Sequence, residues 1–218
     1  DESAEGWVVE TDDMLLMMET NKEAPNGRVI AVDPQLPDPG QGIGVIPEGV
    51  FVINASSGAR FLFAEHRVDA ISRVTQFDLN GRMIRNIELP DLGTAPGFGG
   101  EKDQESLYFT FTNYRIAPAI FTLDPKSGET TLYRASQSPF AGNRFKTEQV
   151  FFNSKDSTRI PMIITYAKGT RLNGTTPTLL YGYGGFDISI RPRFSSTVSA
   201  WLELGGIYAV PNIRGGGE

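Results

Sequence analysis

The chain has 218 residues, of which 24 are Gly and 14 Pro, too much punctuation for a helical bundle or a coiled coil. Its 26 acidic and 20 basic side chains give a net charge of -6, which excludes a generally basic nucleic-acid or anionic-membrane binder. With no Cys and one His, cysteine catalysis, disulfides, zinc fingers and sites needing several imidazoles are ruled out. Carboxylate sites for hard cations stay formally open, and neither a metal nor a cofactor is expected.

The first 50 residues hold 11 acids and 2 bases, and the remaining 168 hold 15 acids and 18 bases. The acidity therefore belongs to one end and reads as a solvated face. No apolar run approaches the roughly 18 residues that span a bilayer; Met14 to Met18 is a typical short run. Asp1 opens no secretory signal, and a soluble, cytoplasmic protein is expected. The start at Asp1 and the closing run Arg214-Gly215-Gly216-Gly217-Glu218 read as the ends of a fragment.

Short β runs broken by Gly, Pro, Asn and Asp fill the chain to about residue 137. They are expected at Arg28 to Asp33, Val50 to Ile53, Ala59 to Phe63, Arg73 to Leu79, Ser106 to Thr112 and Ala119 to Leu123. A strand ending in Asp and a turn recurs at Asp33, Asp78 and Asp124, spaced 45 and 46 residues apart. Repeats of roughly 40 to 50 residues with several short strands each are the mark of β-propeller blades. An ordinary antiparallel sandwich with coincidental spacing is the other reading.

After Phe140 the texture changes. Glu148 to Phe152 and Arg159 to Tyr166 read as strands around the Ser154 to Ser157 turn, and Pro177 to Tyr181 reads as a buried strand. Ser195 to Leu204 predicts a helix capped by Ser195 or Ser196 and ended by Gly205-Gly206, followed by a strand over Ile207 to Ile213. Strand, glycine loop, helix, strand is an α/β unit, in which loops at the carboxyl ends of strands handle ligands.

Several chemical motifs fail. Neither Gly40-Gln41-Gly42-Ile43-Gly44 nor Gly182-Tyr183-Gly184-Gly185 completes a phosphate fingerprint, and no Gly-Lys pair offers a P-loop. No Ser sits in a G-x-S-x-G elbow or an S-x-x-K motif. His66 lies in the β-rich half beside Arg67 and reads as a strand residue rather than a catalytic base. Asn54 and Asn173 match the glycosylation pattern by chance, and Asp12-Asp13 reads as a polar turn. Tyr183 is more informative: a phenol with a pKa near 10 stays a neutral donor at pH 7, and between glycines after a strand it can reach a developing oxyanion. An aromatic packed over a turn with a wet hydroxyl is the alternative.

At Tyr181-Gly182-Tyr183-Gly184-Gly185-Phe186, at Ile188 to Pro192, at Phe194-Ser195 and at Asn212 to Glu218 the sequence resembles the prolyl oligopeptidase family. Thr20 to Asn26, Arg28 to Ile30, Ser154 to Asp156 and Ile160 to Met162 extend the resemblance over essentially the whole chain. Gly185-Phe186 is closer to prolyl oligopeptidase than to oligopeptidase B. The resemblance implies a seven-bladed propeller covering an α/β-hydrolase domain that cleaves short peptides after proline. Residues 1–137 would then be the last, incomplete set of blades, and residues 138–218 the truncated start of the α/β-hydrolase peptidase domain.

By the same resemblance Tyr183 donates its hydroxyl to the oxyanion and Phe186 lines the substrate pocket. Short proline-containing peptides are the implied partners, with no nucleic acid and no membrane, and the full-length protein is expected to be a monomer. The family's Ser, Asp and His lie beyond residue 218, so the chain alone is expected to be inactive. A non-catalytic, propeller-type peptide-binding or regulatory remnant is the competing reading, and an unrelated propeller lectin or scaffold a third.

Overall fold

The computed structural model describes residues 4–12, 15–35, 42–186 and 188–216. Asp1, Asp13, Met14, Gly40, Gln41, Gly217 and Glu218, which figured above, lie outside them.

Three antiparallel sheets follow one another along the chain. The first is formed by β1 (Gly6–Asp12), β2 (Leu15–Thr20), β3 (Arg28–Val32) and β4 (Ile43–Ile46). The second is formed by β5 (Ile53–Gly58), β6 (Phe61–Val68), β7 (Ile71–Phe77) and β8 (Met83–Ile87). The third holds β9 (Leu107–Phe111), β10 (Ala119–Leu123) and β11 (Thr130–Arg134). Single antiparallel bridges from Thr94 to Thr112 and from Gly97 to Phe109 supply the third sheet with an irregular fourth edge. Pro96, lacking an N–H, prevents that edge from running as a regular strand.

The recurring aspartates occupy equivalent places, each directly after the third strand of its unit. Asp33 Oδ1 accepts from the Gln35 N–H at 2.8 Å, Asp78 Oδ1 from Asn80 and Arg82 at 2.9 Å, and Asp124 Oδ1 from Lys126 at 2.8 Å. The side chain closes the turn that the backbone needs to reverse, which is why the spacing carries structural information.

The sheets stack face to face. Met17, Val29, Ile46, Ile53, Ala55 and Leu62 fill the space between the first and second. Phe63, Val74, Phe98, Leu107, Phe109 and Phe111 fill the space between the second and third, with Phe98 and Phe109 stacked at 4.5 Å. Buried polar bonds fix the stacking: the Ala55 N–H donates to the Glu19 carboxylate at 2.5 Å, and Gln76 Nε2 donates to the Pro125 carbonyl at 2.7 Å. Burial raises the Glu19 pKa, and the Ala55 N–H offsets part of that rise. The three sheets do not close into a ring.

The fourth sheet has the order β12 (Phe145–Asn153), β13 (Arg159–Ala167), β15 (Ile207–Pro211), β14 (Thr178–Leu180). β14 and β15 run parallel and are joined through α1 (Ser196–Glu203). Val198 and Leu202 of α1 pack with Ile163, Tyr208 and Val210 of this sheet and with Ile71 and Tyr114 of the preceding sheets. One core therefore spans the junction.

Several boundaries differ from expectation. Val50 to Phe51 is exposed loop, and the strand there begins at Ile53. Ala59 and Arg60, at φ of 52° and 65°, form the two-residue turn joining β5 to β6, so the strand expected from Ala59 starts at Phe61. The run expected to be a buried strand at Pro177 to Tyr181 is the exposed β14, because only β15 flanks it among the described residues. Ser195 is the N-cap of α1, but its side chain makes no capping bond. Among the described residues no helix is long and apolar enough to cross a membrane.

Candidate active site

The parallel pairing of β14 with β15 continues one residue further, with the Tyr181 N–H donating to the Ala209 carbonyl at 2.9 Å. The chain then enters the glycine loop carrying Tyr183 and Phe186. The loop after β15 lies alongside. A Cβ on Gly184, where φ is +63°, would meet Ile213 Cγ1 at 2.6 Å and the Arg214 carbonyl oxygen at 2.7 Å, and one on Gly215 would meet the Gly184 carbonyl oxygen at 2.7 Å. Only glycines permit this backbone-to-backbone approach. Two loops at the carboxyl ends of adjacent parallel strands are thus locked together.

Tyr183 is 47% exposed, and its hydroxyl has no hydrogen-bond partner among the described residues. Phe186 is 89% exposed and sits at φ +53°, a left-handed conformation that costs a bulky residue about 1–2 kcal/mol. At 89% exposure the ring gains little packing from the described residues to offset that cost. The two residues stand three positions apart on one loop, both well exposed.

The loop is anchored from behind. Ser189 Oγ donates to the Gly216 carbonyl at 2.5 Å and accepts from Arg67 Nη1 at 3.3 Å. Arg191 pairs with Glu65, whose side chain is 8% exposed. Ser72 hydrogen-bonds the same carboxylate, and Arg191 Nη2 donates to Ser72 Oγ at 2.7 Å. The Ala95 N–H also donates to Ser72 Oγ at 2.9 Å. Burial and the adjacent Arg191 charge push the Arg67 guanidinium pKa down, and Glu65 pulls it back. Glu65 and Ser72 did not stand out in the sequence, and neither Arg67 nor Arg191 was given a role there, because a Glu or Arg in a strand looks like any solvated charge. Only the register of β6, which brings Glu65 opposite Val74 and Arg67 opposite Ser72, assembles them.

Arg214 pairs with Asp156 and donates to Ser154 Oγ at 3.3 Å, tying the loop after β15 to the turn between β12 and β13. That bond and the Thr158 N–H hold the Asp156 carboxyl far below the usual carboxylate range. His66 lies in β6, opposite Arg73 and remote in sequence from the glycine loops. Among the described residues no group of three His, Asp or Glu could hold a metal ion.

Stacked sheets of four, four and three strands leading into a parallel strand–loop–helix–strand segment define a β-propeller-type protein with a further C-terminal segment. Residues 2–136 match the model of the prolyl oligopeptidase N-terminal β-propeller domain. The prolyl endopeptidase of Elizabethkingia miricola is 45% identical over 211 residues, 97% of this chain and 30% of its own length. Prolyl oligopeptidase A of Galerina marginata is 34% identical, over 94% of this chain and 28% of its own. A solved structure from a mechanistic study of two prolyl endopeptidases superimposes with a TM-score of 0.86 at 34% identity, covering 99% of this chain and 32% of that one. Apo prolyl oligopeptidase B of Galerina marginata gives a TM-score of 0.86 at 26% identity, covering 99% of this chain and 31% of that one. The chain belongs to the prolyl oligopeptidase family, and it spans about 30% of the length of the curated relatives it matches.

Proposed function

We propose that this chain is the part of a serine endopeptidase that supplies the oxyanion donor and part of the proline pocket. The reaction is hydrolysis of short peptides on the carboxyl side of proline. Residues 1–137 are blades of a propeller and residues 138–218 open the α/β-hydrolase domain. Tyr183 donates its hydroxyl to the oxyanion of the tetrahedral intermediate, and Phe186 packs on the proline ring, a flat apolar body without an N–H. The supporting observation is the lock between the two glycine loops, which holds a solvent-facing phenol at the carboxyl end of a parallel strand.

A donor alone stabilises a transition state that never forms without a nucleophile and its base. The 218 residues carry no G-x-S-x-G elbow, so this chain by itself leaves a proline-containing reporter peptide uncleaved. Following the reading frame past residue 218 tests the proposal. A G-x-S-x-G elbow, then Asp, then His is expected. A stop codon there overturns the peptidase reading in favour of a non-catalytic peptide binder, which would bind proline-containing peptides without cutting them. Cytoplasmic placement is part of the proposal and is checked by fractionation.

A further inference from the structure

The loop carrying Tyr183 and Phe186 meets the loop after β15 at two places. At the first, Gly184 and Gly215 touch backbone to backbone, with no room for a Cβ on either. Beyond Phe186 the chain turns back, the Ile188 N–H donating to the Gly185 carbonyl at 3.1 Å. The next residue is Ser189, and it makes the second tie: its Oγ donates to the Gly216 carbonyl at 2.5 Å. Gly216 follows Gly215, so the side-chain tie holds the same stretch that presses on Gly184, the neighbour of Tyr183.

A serine hydroxyl has one proton and two lone pairs. Keeping that proton on Gly216 calls for a second neighbour that can only donate, because an acceptor there would compete for it. Arg67 is such a neighbour, its Nη1 donating to Ser189 Oγ at 3.3 Å. Arg67 belongs to β6, where it pairs with Ser72 and its N–H donates to the Val52 carbonyl at 3.1 Å. The nearby carboxylate, Glu65, is engaged by Arg191 and Ser72. The contact from Arg67 to Ser189 therefore crosses from a strand of the residues that match the propeller into the C-terminal segment.

We propose that Ser189 and Arg67 are positioning residues for Tyr183. Arg67 orients the Ser189 hydroxyl, Ser189 holds the Gly216 carbonyl, and Gly215 keeps Gly184 where the adjacent phenol is aimed at the oxyanion. A propeller strand thereby sets the geometry of the donor. The inference rests on the oxyanion role proposed above for Tyr183.

The test compares Ser189→Ala, Arg67→Met and Arg67→Lys in the whole polypeptide that the reading frame encodes. Loss of the side-chain tie is expected to lower kcat roughly tenfold in Ser189→Ala and about threefold in Arg67→Met, since misplacement of the order of 1 Å can cost about a hundredfold. Arg67→Lys keeps a donor-only cation and is expected to recover most of that loss; a rate equal to that of Arg67→Met removes Arg67 from the relay. In a Tyr183→Phe background Ser189→Ala should change kcat by less than about twofold, because no hydroxyl is left to misplace. A general loss of folded protein lowers both backgrounds by one factor, so equal losses in the two overturn the proposal. The comparison uses kcat because Phe186, on the same loop, is read in KM.

Hydrogen exchange at the Gly184 and Gly185 amides reads the tie without turnover. Ser189→Ala is expected to speed it roughly tenfold while the amides of β10 keep their rates, and unchanged exchange overturns the tie. An encoded polypeptide that cleaves nothing, or Tyr183→Phe with kcat intact, defeats the oxyanion reading instead, and exchange alone then decides whether Ser189 and Arg67 order the loop.

Discussion

Arg191→Met removes the only basic side chain paired with Glu65 among the described residues and leaves that carboxylate buried with the Ser72 hydroxyl as its remaining donor there. Breaking a buried pair from one side costs about 3–5 kcal/mol when both groups are enclosed. Arg191 retains 26% side-chain exposure, and the Arg67 guanidinium is near enough to feel the Glu65 charge. Both circumstances lower the expected cost to about 2–3 kcal/mol. In urea, with a slope of about 2 kcal/mol per molar, this moves the unfolding midpoint down by roughly 1–1.5 M. Glu65→Met should cost a similar amount, because it leaves two guanidiniums facing each other. The double variant should recover most of the loss, since a packed apolar pair replaces two desolvated charges. Circular dichroism on the four proteins completes the cycle. Strictly additive losses, or a single-variant cost under about 0.5 kcal/mol as for a surface pair, would refute the claim that this bridge joins the second sheet to the loop bearing Tyr183.

Gly81→Ala puts a methyl onto the Val45 carbonyl at φ +79° and should cost at least about 2 kcal/mol; Gly169→Ala, at φ +89° with nothing within 4 Å, should cost about 1 kcal/mol, and equal losses in denaturation would deny the contact between the first two sheets. Burial, opposed by Glu65, lowers the pKa of the single histidine, His66, below 6.5. The folded state then binds less proton than the unfolded one, so stability is complete above pH 6.5 and falls as pH drops through the folded value. An NMR titration of the imidazole with a midpoint at or above 6.5 contradicts this. Phe186→Gly should relieve about 1–2 kcal/mol of backbone strain and raise the melting temperature; a fall would mean that the ring packs for stability.

The repeat was legible because the Asx turns at Asp33, Asp78 and Asp124 use side-chain chemistry that leaves a mark in the sequence. The two-residue turns Ala59-Arg60 and Asp69-Ala70 were not. Both hold left-handed φ values at all four residues without a glycine, so strand packing on either side overrides the local preference. The helix was visible from Val198, Trp201 and Leu202. The exposure of β14 was not, since an apolar run reads the same whether one neighbour or two flank it. The loop resembling the family motif pointed to Tyr183 and Phe186 as candidates, while Glu65 and Ser72 meet through strand register and Arg191 joins them from more than a hundred residues away.

The role of Tyr183 is tested most directly by Tyr183→Phe in the polypeptide encoded when the frame is followed beyond residue 218. Steady-state hydrolysis of a short proline-containing peptide is the assay. Loss of one oxyanion donor predicts a kcat lower by roughly 10- to 1,000-fold with KM little changed. An unchanged kcat would take Tyr183 out of the mechanism.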